Sequence, residues 1–299
     1  MTRLLIAVVY LTFITSLVSA QEFKLVWQDD FNGTFLNKTN WTVIEDGDGG
    51  GNKELQYYKR ENVVLGKEPV SGAHCLILTA KLEDYKQKQC TSGRLSTQDK
   101  VTFKYGKIEA RIKAPKTENG LWPAFWLMGN DISSVNWPKC GEIDVLEMGN
   151  EGGIKEGTQD RFFNGACHWG ENWNNGLHPN FVKYNTSLYC LQDDFHLYTL
   201  IWDEKFIRMY LDLDKYPDNK PYYELPINGE DADWKPAHYF HKKFYIIFNL
   251  AIGGFFTNIL DINDVTALKN GEAKMYVDYV KVYQKGDSNE IFSQSIITN

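Results

Sequence analysis

Short runs of residues with a two-residue period dominate this chain. In Lys107–Lys113 and Met275–Tyr283, apolar and polar side chains alternate, and because successive side chains of a β-strand point to opposite faces, such alternation predicts half-buried strands. Clusters of Gly, Asn, Asp and Pro separate the runs, as turns require. No helical pattern of useful length occurs beyond a turn over Ile262–Lys269. The pattern therefore predicts an all-β fold, an antiparallel sandwich or barrel.

The first twenty residues predict a secretory signal peptide. Arg3 precedes the apolar run Leu4–Val18, and small residues up to Ala20 offer a cleavage point before Gln21. The run is too short for a membrane span, and no later stretch approaches the ~20 apolar residues that a membrane helix needs. We expect a secreted, extracellular protein.

The remaining sequence predicts one domain over residues 21–284, because all-β domains of ~200–250 residues are common and no linker interrupts the chain. The alternation ends near residue 285, so residues 285–299 are predicted to be a flexible C-terminal tail. Long polar loops are predicted at Glu45–Lys53, Met148–Arg161 and Asp214–Tyr239.

The net charge of the chain limits the classes of molecule that it is expected to bind. The formal net charge of the 299 residues is -7, which gives no electrostatic footprint for nucleic acid. An acidic, aromatic-rich surface suits a neutral polar ligand. We expect no nucleic-acid or membrane partner and a monomeric protein.

The oxidising compartment implied by the signal peptide bears on two further features. Two disulfides and one free thiol are predicted among five cysteines, with no pairing assigned and no zinc-like spacing. These are Cys75, Cys90, Cys140, Cys167 and Cys190. Four sequons are candidate glycosylation sites if exposed: Asn32, Asn37, Asn40 and Asn185.

The segment Glu142–Glu147 carries the strongest chemical signal. On a strand, Glu142 and Asp144 share one face while the residues between and after them enter the core. A regular strand would also bury Glu147, and an unpaired buried carboxylate is very costly. A β-bulge around Val145-Leu146 would return Glu147 to the face of the other two, and bulges of this kind occur beside active sites.

Distances indicate what this acidic trio can do. Allowing for the bulge, the Cα atoms of Glu142 and Glu147 lie ~13 Å apart, and the carboxyl groups can lean to within ~5–7 Å. Retaining glycosidases need ~5–5.5 Å and inverting ones ~6.5–9.5 Å, so retention is favoured without excluding inversion. Three carboxylates this close raise at least one pKa, as a general acid requires. A solvated strand face or a calcium site are the alternatives.

From Phe23 to Gln284 the chain resembles glycoside hydrolase family 16, in its laminarinase-like (endo-β-1,3-glucanase) branch. The bulged E-x-D-x-x-E motif stands at Glu142–Glu147, after WPKCGE at Trp137–Glu142. Other matching stretches are Leu25–Gly33, Asn52–Tyr58, Ser92–Thr97, Tyr105–Pro115, Gly120–Gly129 and Phe248–Gly254. The resemblance implies a jelly-roll of two curved antiparallel sheets with an open concave cleft.

The resemblance also implies roles within the trio. Glu142 would be the nucleophile and Glu147 the acid/base of a retaining double displacement. Asp144 would orient the nucleophile and help to set its pKa. No cofactor is then needed for catalysis. A structural calcium is implied at Asp30 and Asp278, although Asp30 stands where the family usually has Glu.

Substrate-binding residues follow from the same stretches. Sugars present apolar C–H faces, so a glucan cleft needs aromatic platforms with hydrogen-bonding groups between them. Platforms are implied at Trp122, Trp126 and Trp137, where core packing is the alternative. Polar contacts are implied at Asn52, Arg94 and His168, which could instead serve the local structure.

The expected partner is a β-glucan polysaccharide or oligosaccharide, laminarin-type or with mixed β-1,3/1,4 linkages. Two other functions stay open. A non-catalytic β-glucan-recognition protein would typically lose one or both glutamates, and both are present. A transglycosylase would share the same glycosyl-enzyme and differ only in the acceptor.

Overall fold

The computed structural model describes residues 22–172 and 178–295, so the predicted signal peptide lies outside the described residues. Within these ranges nineteen strands form two sheets. They are β1 (Lys24–Asp29), β2 (Thr42–Val43), β3 (Tyr57–Tyr58), β4 (Val63–Lys67), β5 (His74–Tyr85), β6 (Lys88–Ser92), β7 (Arg94–Ser96), β8 (Val101–Lys104), β9 (Gly106–Lys113), β10 (Leu121–Gly129), β11 (Glu142–Met148), β12 (Phe162–His168), β13 (Asn180–Thr186), β14 (His196–Trp202), β15 (Phe206–Leu211), β16 (Tyr223–Pro226), β17 (Phe244–Ile252), β18 (Glu272–Gln284) and β19 (Ile291–Gln294).

Helical structure in the described chain is confined to short segments. These are α1 (Ile132–Val135), α2 (Glu151–Glu156), α3 (Pro236–Tyr239) and 3₁₀ turns at Gly49–Gly51, Arg60–Asn62, Ile262–Asp264 and Thr266–Leu268. In the described part, no helix is long and apolar enough to cross a membrane.

One sheet has ten strands in the order β16-β15-β14-β9-β18-β5-β6-β3, with β1 beside β18 and β4 beside β5. The other has nine, in the order β13-β12-β11-β10-β17-β7-β2, with β8 joining β17 to β19. Pairing is antiparallel except between β3 and β6. The two large antiparallel sheets confirm the predicted all-β jelly-roll.

The core lies between the two sheets and follows the alternation seen in the sequence. Ile108, Ala110 and Ile112 of β9 are fully buried, while the residues between them include charged groups. Trp27 and Trp202 also belong to this core and are 6% and 1% exposed. Every residue of the central strand β17 is buried, so this strand has one side against the core and the other beneath the cleft described below.

Two predicted irregular segments contain strands. The predicted tail includes β19, which pairs with β8 from Ile291↔Lys104 to Gln294↔Val101, so the flexible-tail prediction is wrong for these residues. The predicted loop Asp214–Tyr239 includes β16, which pairs with β15. Both strands are four residues long, too short to show a clear period in the sequence.

The disulfide prediction is wrong, because all five cysteines are free. Cys90 and Cys167 belong to the main core, whereas Cys140 and Cys75 belong to two separate apolar clusters. The fifth cysteine, Cys190, is half-buried and belongs to none of these clusters, and no two of the five thiols form a disulfide.

One of the four sequons is unsuited to modification. Asn40 is only 5% exposed, and its Oδ1 accepts a 2.8 Å hydrogen bond from Gln294 Nε2 of β19. A glycan needs an exposed acceptor, so the Asn40 prediction fails in the folded protein. Asn32 and Asn37 are exposed and Asn185 is half-buried.

Candidate active site

The acidic trio lies on β11, at a bulge. Against β10, Leu146 pairs with Phe125 and Asp144 pairs with Trp126, so Val145 is the extra residue. The same irregularity appears against β12, between Asp144 and Glu147. Val145 and Leu146 are fully buried, while Glu142 and Glu147 are half-buried at the cleft. The predicted bulge is thus confirmed, and it brings three carboxylates to one face of the strand.

A bulge leaves backbone groups without ladder partners, and a side chain compensates for this one. The Tyr222 hydroxyl donates a hydrogen bond to the carbonyl of Val145. Tyr222 comes from the segment before β16 on the opposite sheet. The bulged strand is therefore anchored from beneath.

The trio faces a cleft with a volume of about 910 Å³, at the upper end of the range for ligand pockets. The structure brings all nine catalytic and substrate-binding residues predicted from the sequence to this cleft. They are Asn52, Arg94, Trp122, Trp126, Trp137, Glu142, Asp144, Glu147 and His168.

Each glutamate accepts hydrogen bonds from a tryptophan. Trp137 Nε1 donates to Glu142 Oε2 at 2.8 Å, and Trp122 Nε1 donates to Glu147 Oε1 at 3.0 Å. The other oxygen of Glu147 accepts a 2.6 Å bond from Asn164 Nδ2. Because donors to a carboxylate favour its ionised form, the two tryptophans lower the pKa values of the glutamates as well as lining the cleft.

Removal from water raises the pKa of Glu142 and of Glu147 to about 7. For Glu142, repulsion by Glu147 adds to the effect, while Trp137, Asp144 and the charge of Arg94 oppose it. Burial, with repulsion by both glutamates, holds the pKa of Asp144 well above its usual range. Burial therefore favours the protonated form of all three carboxyl groups.

His168 lies opposite Glu142 on the neighbouring strand β12. Its Nε2 is 3.5 Å from Asp144 Oδ2, and its Nδ1 is 2.9 Å from Nε2 of His178. Burial lowers the pKa of His168 to about 4, so the imidazole is uncharged at neutral pH. It can accept or donate one hydrogen bond beside Asp144 without adding charge.

The three tryptophans are neither simple core residues nor bare platforms. Trp122 stacks on Phe256 with 4.5 Å between ring centroids. Trp126 and Trp137 pack against a small apolar cluster that includes Met128. The Arg94 guanidinium carbon lies 5.1 Å from the Trp126 ring centroid, so one surface of this indole already has a cation beside it.

Several cleft residues were not singled out from the sequence. Asn164 and Phe256 line the cleft together with Glu54 and Asn249. Asn249 and Glu54 do fall within the stretches that resembled the family, but amide and carboxylate side chains carry no periodic signal. Asn164 could have been inferred only with the register of β12, which places it opposite Glu147.

Two groups of described residues place three possible metal-ligand atoms within 4.8 Å of one another: Glu142, Asp144 and His168, and Glu171, Asp233 and His238. Neither includes the predicted calcium ligands. Asp278 Oδ2 accepts a 2.7 Å bond from Arg111, and Asp30 Oδ1 accepts one at 3.3 Å from the backbone of Asn32. A cation at Asp278 would have to share that carboxylate with Arg111, so the calcium site stays a prediction.

Comparison with known proteins follows this geometry. The sequence profile of glycosyl hydrolases family 16 matches residues 57–224. The chain belongs to this family. Its relatives and structural neighbours place it in the laminarinase-like branch. One relative, the glucan endo-1,3-beta-glucosidase A1 of Niallia circulans, is 33% identical over 282 residues, which are 88% of this chain and 38% of that protein.

A second relative is the clotting factor G alpha subunit of Tachypleus tridentatus, 33% identical over 268 residues, or 90% of this chain and 35% of that protein. The chain thus spans little more than a third of the length of these two relatives. Among solved structures, a family 16 protein from the Bacteroides ovatus mixed-linkage glucan PUL, in complex with the product G4G4G3G, is 40% identical with a TM-score of 0.75. The match covers 86% of this chain and all of that one.

Proposed function

We propose that the protein is a secreted, retaining endo-β-1,3-glucanase that cleaves laminarin-type glucans, with mixed β-1,3/1,4 glucans as a second substrate class. The observation that carries the proposal is the pair of glutamates with pKa values near 7 on one bulged strand. A retaining glycosidase needs one ionised and one protonated carboxyl at the start of its cycle, and such a pair can hold one proton at neutral pH.

In this proposal Glu142 attacks the anomeric carbon while Glu147 protonates the departing glycosidic oxygen. Arg94, Trp137 and Asp144 favour the ionised form of Glu142, which suits a nucleophile. In the second step Glu147, now ionised, takes a proton from water, and that water releases the sugar from Glu142. The order of the two roles rests on the resemblance to the family; the pKa values alone are nearly symmetrical.

Two alternatives predict different behaviour. A β-glucan-recognition protein would bind without cleavage, and a relative from Penaeus monodon, 33% identical over 178 residues, is named a beta-1,3-glucan-binding protein. The complete trio and its perturbed pKa values favour an enzyme. A transglycosylase would use the same glycosyl-enzyme and transfer it to another sugar.

Proton NMR of the first product from laminarin tests the proposal. We expect the β-anomer to form before mutarotation; initial α-anomer would exclude double displacement through Glu142. Chromatography of products from laminarin, mixed-linkage glucan and agarose then defines the substrate. Binding without any product from all three would favour the recognition protein, and products longer than the substrate would indicate transglycosylation.

Other parts of the proposal concern the setting of the enzyme. We propose cleavage of the signal peptide before Gln21, glycosylation at the accessible sequons Asn32, Asn37 and Asn185, and a monomeric state. A structural calcium bound by Asp30 and Asp278 would raise the melting temperature. Calcium addition and chelation, followed by calorimetry, test that site, and Asp278→Asn should abolish any response.

A further inference from the structure

A chain of three hydrogen bonds leads from the cleft to a buried carboxylate outside the catalytic trio. Trp126 Nε1 donates to Asn249 Oδ1 at 2.6 Å. Asn249 Nδ2 donates to the Tyr58 hydroxyl at 3.2 Å, and that hydroxyl donates to Glu54 Oε2 at 2.8 Å. The chain crosses from β10 through β17 to β3 and ends in the segment before β3.

The chemistry of its two ends fixes the direction of this chain. An indole N–H can only donate, and a carboxylate can only accept. The hydroxyl of Tyr58 donates to Glu54 and so presents a lone pair to Asn249. The amide of Asn249 must then point its nitrogen at Tyr58 and its oxygen at Trp126. If the last acceptor were lost, Tyr58 could turn its proton and the Asn249 amide could flip.

We propose that Glu54 is a positioning residue that, through Tyr58 and Asn249, holds the Trp126 indole in the orientation that binds the sugar chain. The inference rests on the proposed function, because it takes Trp126 as a glucan contact. Glu54 would thus assist substrate binding although it is not one of the three carboxylates proposed to cut the substrate.

The surroundings of Glu54 support this role. The residue is only 6% exposed, and no ion pair among the described residues includes it. Gln56 Nε2 donates a second bond to Oε2 at 2.6 Å. A Cβ atom at Gly50 would lie 2.5 Å from Oε1, and Gly50 has a φ of +56°, so the loop approaches the carboxylate where only glycine fits easily. Such a carboxylate is costly to bury, and a purely packing role would not need its charge.

Tyr58 keeps the donor state that the chain requires. Burial, followed by the nearby charge of Glu54, raises its pKa well above the usual range, so the phenol stays protonated. Arg94 lies beside both aromatic members, with its guanidinium carbon 5.8 Å from the Tyr58 ring and 5.1 Å from the Trp126 ring. The indole is thus held at its nitrogen by Asn249 and on its surface by Arg94.

The test uses the full chain carrying Glu142→Gln, which is expected to bind oligosaccharide without cutting it. The indole N–H signals are recorded by ¹⁵N NMR, and Trp126→Phe identifies the signal of Trp126. Glu54→Leu, which removes the acceptor, and Tyr58→Phe are the test variants. Tyr57→Phe is the matched control, because its hydroxyl accepts a bond from Lys86 at the surface and the residue does not line the cleft.

We expect both test variants to shift the Trp126 indole signal and to speed its exchange with water, while Tyr57→Phe leaves it unchanged. Affinity for laminaritetraose, measured by calorimetry, should fall roughly 2- to 12-fold, as expected for one hydrogen bond. Melting temperatures identify any variant that fails to fold, and Tyr58→Phe, which removes only a hydroxyl group, then carries the test.

Each failure has its own signature. An unmoved Trp126 signal in both variants would overturn the hydrogen-bonded chain. A moved signal with unchanged affinity would overturn the positioning role while leaving the proposed function intact. A third outcome would instead count against the proposed function: the test variants move the signal, but the Glu142→Gln protein without them does not bind laminaritetraose.

Discussion

Replacing either of the two tryptophans that hydrogen-bond the glutamates should move one limb of the pH–activity profile and leave the other in place. Trp137→Phe removes the 2.8 Å donor to Glu142, and Trp122→Phe removes the 3.0 Å donor to Glu147. Phenylalanine keeps an aromatic face in the cleft. The two substitutions are therefore matched in size and chemistry and differ in the carboxylate that loses its partner.

The size of the effect follows from the hydrogen bond. A bond to a charged group contributes about 1.5–3 kcal/mol, and one pKa unit corresponds to 1.36 kcal/mol, so the affected pKa should rise from about 7 by up to about 1–2. The sign is upward in both variants, because each donor stabilises the ionised form. If Glu142 must be ionised, Trp137→Phe moves the acidic limb upward. If Glu147 must be protonated, Trp122→Phe moves the alkaline limb upward.

The assay is kcat/KM on laminarin between pH 4 and 9, which reports the free enzyme. Movement of the alkaline limb by Trp137→Phe and of the acidic limb by Trp122→Phe would exchange the roles assigned to the two glutamates. Unchanged limbs in both variants would refute the claim that the indole donors set these pKa values. Melting curves across the same range separate a shift in ionisation from loss of folded protein.

Three other expectations rest on different parts of the structure. The pKa of Glu147 is higher in the folded protein than in the unfolded chain, so its protonated form favours folding below pH 4.5 and that contribution is lost as pH rises through 7. At pH 8 the free energy of unfolding of Glu147→Gln should therefore exceed that of the unchanged protein by at most about 3 kcal/mol. At pH 4 the two should differ little. A reducing agent should leave the melting temperature unchanged, because all five cysteines are free; a clear fall would reveal a disulfide. Truncation after Asp287 removes β19 and should lower the melting temperature, because β8 loses one of its two partners; no change would mean that the C-terminal segment contributes nothing to stability.

The sequence predicted the long, regular parts of the fold well. Strand β9 follows the predicted alternation, and β18 follows it on either side of a register shift between Val277 and Tyr279. The pattern is visible because one face of each strand is buried. Strands β16 and β19, of four residues each, were missed since so few residues carry no clear period. The disulfide prediction was wrong because the redox compartment says nothing about where the thiols lie, and the four buried thiols are distributed over three apolar clusters.

At the site, the bulge could be predicted because burying Glu147 on a regular strand is physically untenable. Its hydrogen-bond partners could not, since they depend on how strands are registered. Asn164 meets Glu147 only because β12 pairs with β11 in one register, and Trp137 reaches Glu142 from the turn before β11. The platform role implied for Trp122 and Trp137 omitted their indole nitrogens, which act on the carboxylates.

Burial of the acidic trio lowers the stability of the fold, and the same burial gives the carboxyl groups pKa values that are useful for catalysis. Withdrawal from water raises all three pKa values, and each charge placed there opposes folding. The compensation is local and specific: two indoles and one amide donate hydrogen bonds to the two glutamates, and Tyr222 secures the bulge. None of these donors carries charge, so they can stabilise a carboxylate without abolishing its ability to hold a proton. A lysine in direct contact would have lowered the pKa of Glu147, the residue proposed to protonate the leaving group. Arg94 supplies the nearby positive charge acting on Glu142, and it does so from a position beside Trp126. Glu147 thus has only neutral donors, whereas Glu142 also has the nearby charge of Arg94, and this difference suits the roles proposed for the two glutamates.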